Sequence, residues 1–232
     1  QRRICIRDIN PIMTVGRQIA DGMREHLGLS KKESRERAID LMKKVGITGA
    51  THRVDSYPFE LSGGMRQRVM IASAIACHPK LILCDEPTTA LDVTVQRQVI
   101  DLFVSLCRTM DVSLLYVTHD MAVVANLCDR VTVLYSGSVM ERGSVRELFS
   151  HPRHPYTAAM MRSTPLIDGP VTRLESIPGT APLLSQRPKG CPFAPRCAFA
   201  VEECSRAMPP LVDIGGGRST ACIRSEEMMA DD

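Results

Sequence analysis

Two adjacent carboxylates close an apolar run in the middle of this chain. Leu81-Ile82-Leu83-Cys84 is followed by Asp85-Glu86-Pro87, and a buried strand that ends in acids delivers them to the ligand edge of an α/β sheet. Such a pair can manage a metal and a water. Asp85 would hold Mg²⁺ through its water shell, and Glu86 would orient or deprotonate an attacking water. Ser62-Gly63-Gly64, leading directly into a helical run, offers free backbone N–H groups, a positive dipole end and a hydroxyl, all suited to a phosphate. The same three residues also read as an ordinary helix cap after a flexible turn. His119, at a strand end before Asp120, is open to capping and core roles as well as to chemistry.

These residues need a scaffold, and the spacing of apolar residues predicts one. Residues 14–27 have helical periodicity, and Ser30 with Glu33 forms a capping box for a second helix that stops at Gly46, giving two short antiparallel helices. A small-residue helix follows Ser62-Gly63-Gly64 and is ended by His78-Pro79. Strand 81–84, helix 93–110 and strand 113–118 then alternate as in a parallel α/β sheet. A short helix over 120–127 precedes strands 131–135 and 138–142, joined by a tight Ser136-Gly137 turn. The domain reads as closing near residue 150. From His151 onward prolines recur, among them Pro165 and Pro170, and loops held by local contacts are expected. Gly215-Gly216-Gly217 reads as a turn.

Composition narrows the function classes. The 232 residues are 44% hydrophobic and 24% charged, ordinary for a globular chain. No run approaches the ~18 apolar residues of a membrane span. The basic start, Gln1-Arg2-Arg3-Ile4-Cys5, lacks the apolar core of a secretory signal, so a cytoplasmic protein is expected. A net charge of +3 without a basic block interleaved with aromatics argues against a nucleic-acid partner.

The nine cysteines divide unevenly. Cys5, Cys77, Cys84, Cys107 and Cys128 sit among apolar residues and read as small buried hydrophobes. Cys191, Cys197, Cys204 and Cys222 fall in the Pro/Gly-rich tail as C-x5-C-x6-C-x17-C, irregular for a zinc ribbon. Four thiolates suit an iron–sulfur cluster equally well. Four free thiols in a loose tail remain open, and a disulfide is disfavoured in a reducing cytosol.

Taken in order, Leu61-Ser62-Gly63-Gly64-Met65-Arg66-Gln67-Arg68, Leu81 to Pro87, Ala90-Leu91-Asp92 and Thr118-His119-Asp120 resemble the second half of an ATP-binding-cassette (ABC) ATPase. They are similar to its signature sequence, Walker B strand, D-loop and switch histidine. The resemblance implies an α/β, P-loop NTPase-like ABC domain, partial in residues 1–150, with a helical subdomain at 14–57 and a signature-to-switch core at 58–150. It further implies ATP and Mg as cofactors and a head-to-tail pair of ATPase subunits. Ser62, Gly63, Gly64 and Gln67 would then face the partner's nucleotide. Asp85 would organise Mg²⁺, Glu86 would act on the water, His119 would contact the γ-phosphate and Asp92 would couple the two sites. The family's P-loop, G-x-x-x-x-G-K-[ST], has no counterpart here, and Arg3 rather than Gln1 falls nearest the place of its glutamine loop. A truncated or interrupted chain is therefore expected, an ABC-type ATPase by family whose activity alone the missing P-loop leaves open.

Beyond the core, His151-Pro152-Arg153-His154-Pro155-Tyr156-Thr157, Ile177-Pro178-Gly179 and Gly190 to Cys197 resemble the C-terminal extension of oligopeptide and dipeptide importer ATPases, a subfamily that also covers nickel and some oligosaccharides. The extension would span 151–232. Some members carry a [4Fe–4S] cluster, which by resemblance makes Cys191, Cys197, Cys204 and Cys222 the ligands, with zinc as the other candidate. Implied partners are a second ATPase subunit, two membrane permeases and, indirectly, an extracytoplasmic peptide-binding protein, at the cytoplasmic face of the membrane. A non-transport ABC ATPase and a catalytically silent remnant are the competing readings.

Overall fold

A computed structural model describes residues 9–88, 91–164 and 176–227, and the chain divides into two compact units, 1–119 and 120–232. The calls on Gln1, Arg3, Cys5, Ala90, Pro165 and Pro170 lie outside the described residues.

The first unit opens with α1 (Val15–Leu27) and α2 (Lys31–Lys44). Left-handed Gly28 ends α1, and the capping box starts α2: Glu33 N–H donates to Ser30 Oγ (3.2 Å) while Ser30 N–H donates to Glu33 Oε2 (2.9 Å). Val15, Ile19, Met23, Ala38 and Met42 are buried, the apolar stripes that helical periodicity predicts. After α3 (Ala50–Arg53) the backbone returns so closely that a Cβ on Gly16 would lie 2.5 Å from Val54 O. Only glycine fits there. Next come α4 (Gly63–Ile75), β1 (Leu81–Asp85), α5 (Val93–Met110) and β2 (Ser113–Val117). The strands pair in parallel, from Leu81 opposite Ser113 to Asp85 opposite Val117, as the strand–helix–strand alternation predicts. Buried Phe103 of α5 meets the Tyr116 ring edge-on at 6.0 Å.

The second unit begins with α6 (Met121–Leu127), which Asp120 caps by accepting from Ala122 N–H (2.9 Å). β3 (Arg130–Tyr135) and β4 (Ser138–Ser144) form the expected hairpin. Ser136 and Gly137 both have positive φ (45° and 76°), the backbone that matches a two-residue turn to the strands' twist. α7 (Val145–Ser150) and α8 (Pro155–Arg162) follow, then α9 (Glu202–Arg206).

Here the structure departs from the sequence reading. The tail supplies two strands, β5 (Val212–Gly215) and β6 (Arg218–Thr220), turned at Gly215-Gly216-Gly217, and the sheet order is β3-β4-β6-β5, antiparallel throughout. These strands are too short and polar to show a period of two, and β6 becomes a strand by pairing with β4, Glu141 opposite Thr220. The hairpin and tail therefore share the compact unit 120–232.

Candidate functional site

The parallel register of β1 and β2 sets the first cluster. Glu86 N–H donates to Val117 O (2.9 Å), carrying the ladder one residue past the strand. Glu86 then turns with φ at +43°, a left-handed conformation uncommon for a side-chain-bearing residue and costing on the order of 1 kcal/mol or more. The turn brings Glu86 Oε1 within 2.9 Å of His119 Nδ1. A carboxylate accepts, so Nδ1 carries the proton. Asp85 is exposed, and the side chains of Glu86 and His119 are 32% and 76% exposed. The cluster is open to water.

A second group gathers where α4 and α5 begin. Ser62 caps α4, accepting from Met65 N–H (3.4 Å), and Arg66 Nε fixes the preceding turn by donating to Pro58 O (2.7 Å) and Leu61 O (3.0 Å). A Cβ on Gly64 would lie 2.7 Å from Val95 Cγ1, and one on Gly63 would lie 3.8 Å from Leu91 Cδ2. Thus the start of α4 lies against that of α5, where Asp92 caps by accepting from Val95 N–H (2.9 Å). Ser62, Gly63 and Asp92 are exposed. Gln67 differs: it is 6% exposed, and its Nε2 has no hydrogen-bond partner.

The four tail cysteines come together in the second unit. Cys191, Cys197, Cys204 and Cys222 line one cavity of about 20 Å³ with His154 and Phe193. Cys191 N–H donates to Cys204 O (2.8 Å), and a Cβ on the preceding Gly190 would lie 2.2 Å from that carbonyl. Glycine is required for this approach. All four are free thiols. Burial pushes the thiols of Cys191 and Cys197 above their ordinary range and that of Cys222 up to about 11. Among the described residues no group of three or more His, Cys, Asp or Glu side chains is arranged so that it could hold a metal ion. Convergence on one cavity is thus seen, and a preformed ligand set is not. Of the scattered cysteines, Cys84 is buried, its thiol pushed up to about 12, while Cys77, Cys107 and Cys128 are partly buried.

Sequence reasoning passed over the residues that hold this cavity. Fully buried Glu141 of β4 accepts from Arg153 N–H (2.8 Å), His154 N–H (3.0 Å) and Arg218 Nη2 of β6 (3.2 Å), while Arg218 Nη2 also donates to His151 O (2.6 Å). This clamp fixes the loop before α8. His154, 1% exposed, caps α8: its Nδ1 accepts from Tyr156 N–H (3.0 Å). Burial pushes its imidazole down to about 4, so at neutral pH the ring is neutral and its proton lies on Nε2, which has no partner. The signal was available only as an alternation, Met140 and Glu141 both inside, that a lone charged residue in a short strand does not announce.

Comparison with known proteins agrees with both halves of this description. The family described as ABC transporter matches residues 6–89, and the oligopeptide/dipeptide transporter C-terminal region matches residues 140–204. The chain is 47% identical over 229 residues to a putative peptide import ATP-binding protein of Brucella melitensis, covering 96% of this chain and 68% of that protein. It is 46% identical over 223 residues to the oligopeptide transport ATP-binding protein AppD of Bacillus subtilis, with the same coverage. Among solved structures, a dimeric post-hydrolysis state of the ATP-binding cassette MJ0796 bound to ADP and Pi matches at a TM-score of 0.53 and 28% identity, over 63% of this chain and 61% of that one. By identity and coverage together, this chain belongs to the ATP-binding proteins of ABC transporters and carries the oligopeptide/dipeptide transporter C-terminal region.

Proposed function

We propose that this chain is the ATP-binding and ATP-hydrolysing subunit of an ABC importer that energises uptake of di- or oligopeptides. One observation carries the reading: Glu86 and His119 meet at 2.9 Å beside Asp85, at the ends of two parallel strands. Relatives named for peptide import, and the matched C-terminal region, support the substrate class.

Bound Mg²⁺ would neutralise charge on the phosphates, and the exposed Asp85 carboxylate at the end of β1 suits its water shell. Glu86 is the base: it takes a proton from the water, and the Nδ1–H of His119 holds Oε1 so that the other oxygen faces that water. A phosphate oxygen can accept from His119 only at Nε2, so pairing with Glu86 and touching phosphate together require the imidazolium. Ser62 and the amides of Gly63 and Gly64 receive the phosphate of a nucleotide held by the opposing subunit, and Asp92 relays between the two sites. Gln67, almost wholly buried in this chain, is the one member of the proposed set that is not at the surface. The 232 residues contain no G-x-x-x-x-G-K-[ST] run, so the main phosphate cradle comes from outside them. Residues 14–57 are the surface that docks on two permeases, which receive peptide from an extracytoplasmic binding protein. Among the described residues no helix is long and apolar enough to cross a membrane, and the chain works at the membrane's cytoplasmic face.

The cysteine cavity is the place for a thiolate-held metal centre, a [4Fe–4S] cluster or zinc. Four thiols line it and would be the donor atoms, although as folded they form no preformed ligand set. The space is about that of one water, so a centre there would require the loops that carry the thiols to rearrange. When bound, such a centre would add cross-links to the tail beside the packing of Phe193 and Ala194 with Tyr135 and Met140.

ATP hydrolysis is measured with the purified chain alone and with a P-loop-bearing partner subunit. Hydrolysis that appears only with the partner and is lost in Glu86→Gln is the expected result. Equal activity of the Glu86→Gln assembly would overturn the assignment. Absence of any effect of the chain on the partner would instead favour a catalytically silent role.

A further inference from the structure

We infer that Thr88 and Tyr116 are positioning residues for Glu86: their side-chain hydroxyls, bonded to each other, fasten the far side of the turn that aims its carboxylate. This rests on the reading of Glu86 as the base.

The turn needs fastening on both sides. Glu86 sits at a φ of +43°, a backbone that a residue with a side chain keeps only where its surroundings over-determine it. On the strand side the ladder does this, Glu86 N–H donating to Val117 O. Beyond Glu86 the chain leaves the sheet, β1 having ended at Asp85. Thr88 takes over there. It is two residues on, only 6% exposed, and its Oγ1 lies 3.2 Å from the Tyr116 hydroxyl. Pro87, between the two, is buried, and its ring fixes φ in the link.

Tyr116 is itself held in place. It belongs to β2, opposite Cys84 in the register, and its ring meets buried Phe103 of α5 edge-on. The residues that follow it are the ones Glu86 uses: Val117 O accepts from Glu86 N–H, and His119 Nδ1–H donates to the Glu86 carboxylate. Three hydrogen bonds thus join residues 86–88 to residues 116–119, and the Thr88–Tyr116 bond is the one on the outgoing side of the turn. The Thr88 carbonyl also accepts from Leu91 N–H (3.1 Å), which leads the anchored chain on to Asp92 at the start of α5. Phenylalanine would make the same edge-on contact with Phe103, so packing does not call for the tyrosine oxygen. The bond to Thr88 gives that oxygen a use, and it spares a buried threonine hydroxyl from being left unpaired.

A reacting group misplaced by about 1 Å loses on the order of 10²-fold in rate, so a latch on Glu86 should be visible in kcat. Tyr116→Phe keeps the ring and removes one hydroxyl, Thr88→Val keeps the shape and removes the other, and Thr88→Ser retains it. Each variant of the full chain is read twice: as kcat and KM for ATP when assembled with the P-loop-bearing partner subunit, and by the imidazole nitrogen resonances of His119 in the chain alone, which report whether Nδ1–H donates to Glu86. The expected result is a kcat lower by roughly 10-fold in Tyr116→Phe and in Thr88→Val, with KM unchanged. The double variant should fall no further than either single, Thr88→Ser should keep wild-type kcat, and the His119 resonances should move in the same two singles. A merely structural pair would lower the melting temperature and leave kcat and the His119 resonances at wild-type values. That result overturns the inference, as does a loss confined to one of the two singles or shared equally by Thr88→Ser. If Thr88→Val does not fold, Tyr116→Phe set against Thr88→Ser decides. If the wild-type assembly does not hydrolyse ATP, the reading of Glu86 as the base fails instead, and the His119 resonances still decide whether the hydroxyl pair sets the Glu86 contact.

Discussion

Two histidines set the two units of this molecule apart. His119 in the first unit is largely exposed and gives its Nδ1 proton to Glu86, whereas His154 in the second is sealed and uses Nδ1 to accept from Tyr156 N–H. In the neutral ring the tautomers are opposite: His119 presents a bare Nε2 and His154 an Nε2–H. The surroundings differ in the same sense. Ser62, Gly63, Asp85 and Asp92 stand in water at the starts of helices and the end of a strand, while the tail cysteines, Glu141 and Arg218 face inward. On the proposed function, an exposed set of phosphate-type donors and acids is half of a site that closes on an opposing subunit. The buried set is closed upon itself, and the hydrogen bonds of Glu141 hold its loops together.

That contrast can be broken by mutation. Glu86→Gln should lower ATP hydrolysis of the assembled subunits by about 10²-fold or more while leaving the melting of the chain unchanged, read by a coupled phosphate assay beside calorimetry. Glu141→Ala does the reverse: it strands Arg218 and two backbone N–H groups in the interior and should cost about 3–5 kcal/mol, unfolding 120–232 first in limited proteolysis while residues 9–119 keep their protection. If Glu141→Ala instead loosened both units equally, the confinement of this clamp's effect to the second unit would be refuted. Metal removal by a chelator, or Cys204→Ser, should make the tail the first region cut by protease, again without effect on the first unit.

Smaller changes sharpen the picture. Gly64→Ala places a methyl 2.7 Å from Val95 Cγ1 and should cost about 1–3 kcal/mol by overpacking where α4 meets α5, measured by urea unfolding. Ser30→Ala and Ser144→Ala each remove a capping box and should cost about 1 kcal/mol, the first from unit one and the second from unit two. Their bonds hold the carboxyls of Glu33 and Glu147 below the ordinary range, Ser30 and Ser144 being the leading causes. A depressed carboxyl binds fewer protons folded than unfolded, so this stabilisation is present above the unfolded carboxyl pKa and is lost as pH falls through the folded value. Acid unfolding curves of wild type and Ser→Ala variants should therefore converge at low pH.

Local chemistry made much of this legible in advance. The capping box, the two-residue turn at Ser136-Gly137, the parallel pair flanking α5 and the acids at the end of β1 all follow from residues within a few positions of one another. Helix 93–110 matches α5 from end to end because Asp92 caps one end and left-handed Asp111 closes the other. Asp85, Glu86 and His119 were singled out because each ends a strand, and strands in register bring their ends together. The burial of Gln67 was not legible, because a signature motif read as a string does not say which side of α4 each member occupies.

What the sequence determined by itself is the order and kind of the first unit's elements, the candidate acids, histidine and glycines, and the four thiols as a group, since periodicity, capping and motif spacing act over short distances along the chain. Only the tertiary structure decided that the tail completes a sheet with the hairpin, that Glu141 and Arg218 pair in the interior, and that His154 and Arg224 leave N–H groups unmet beside the cysteines. Those outcomes depend on contacts between residues far apart in sequence. Desolvation there makes each unmet donor or charge costly, and no local pattern records where the partner of a buried polar group will be.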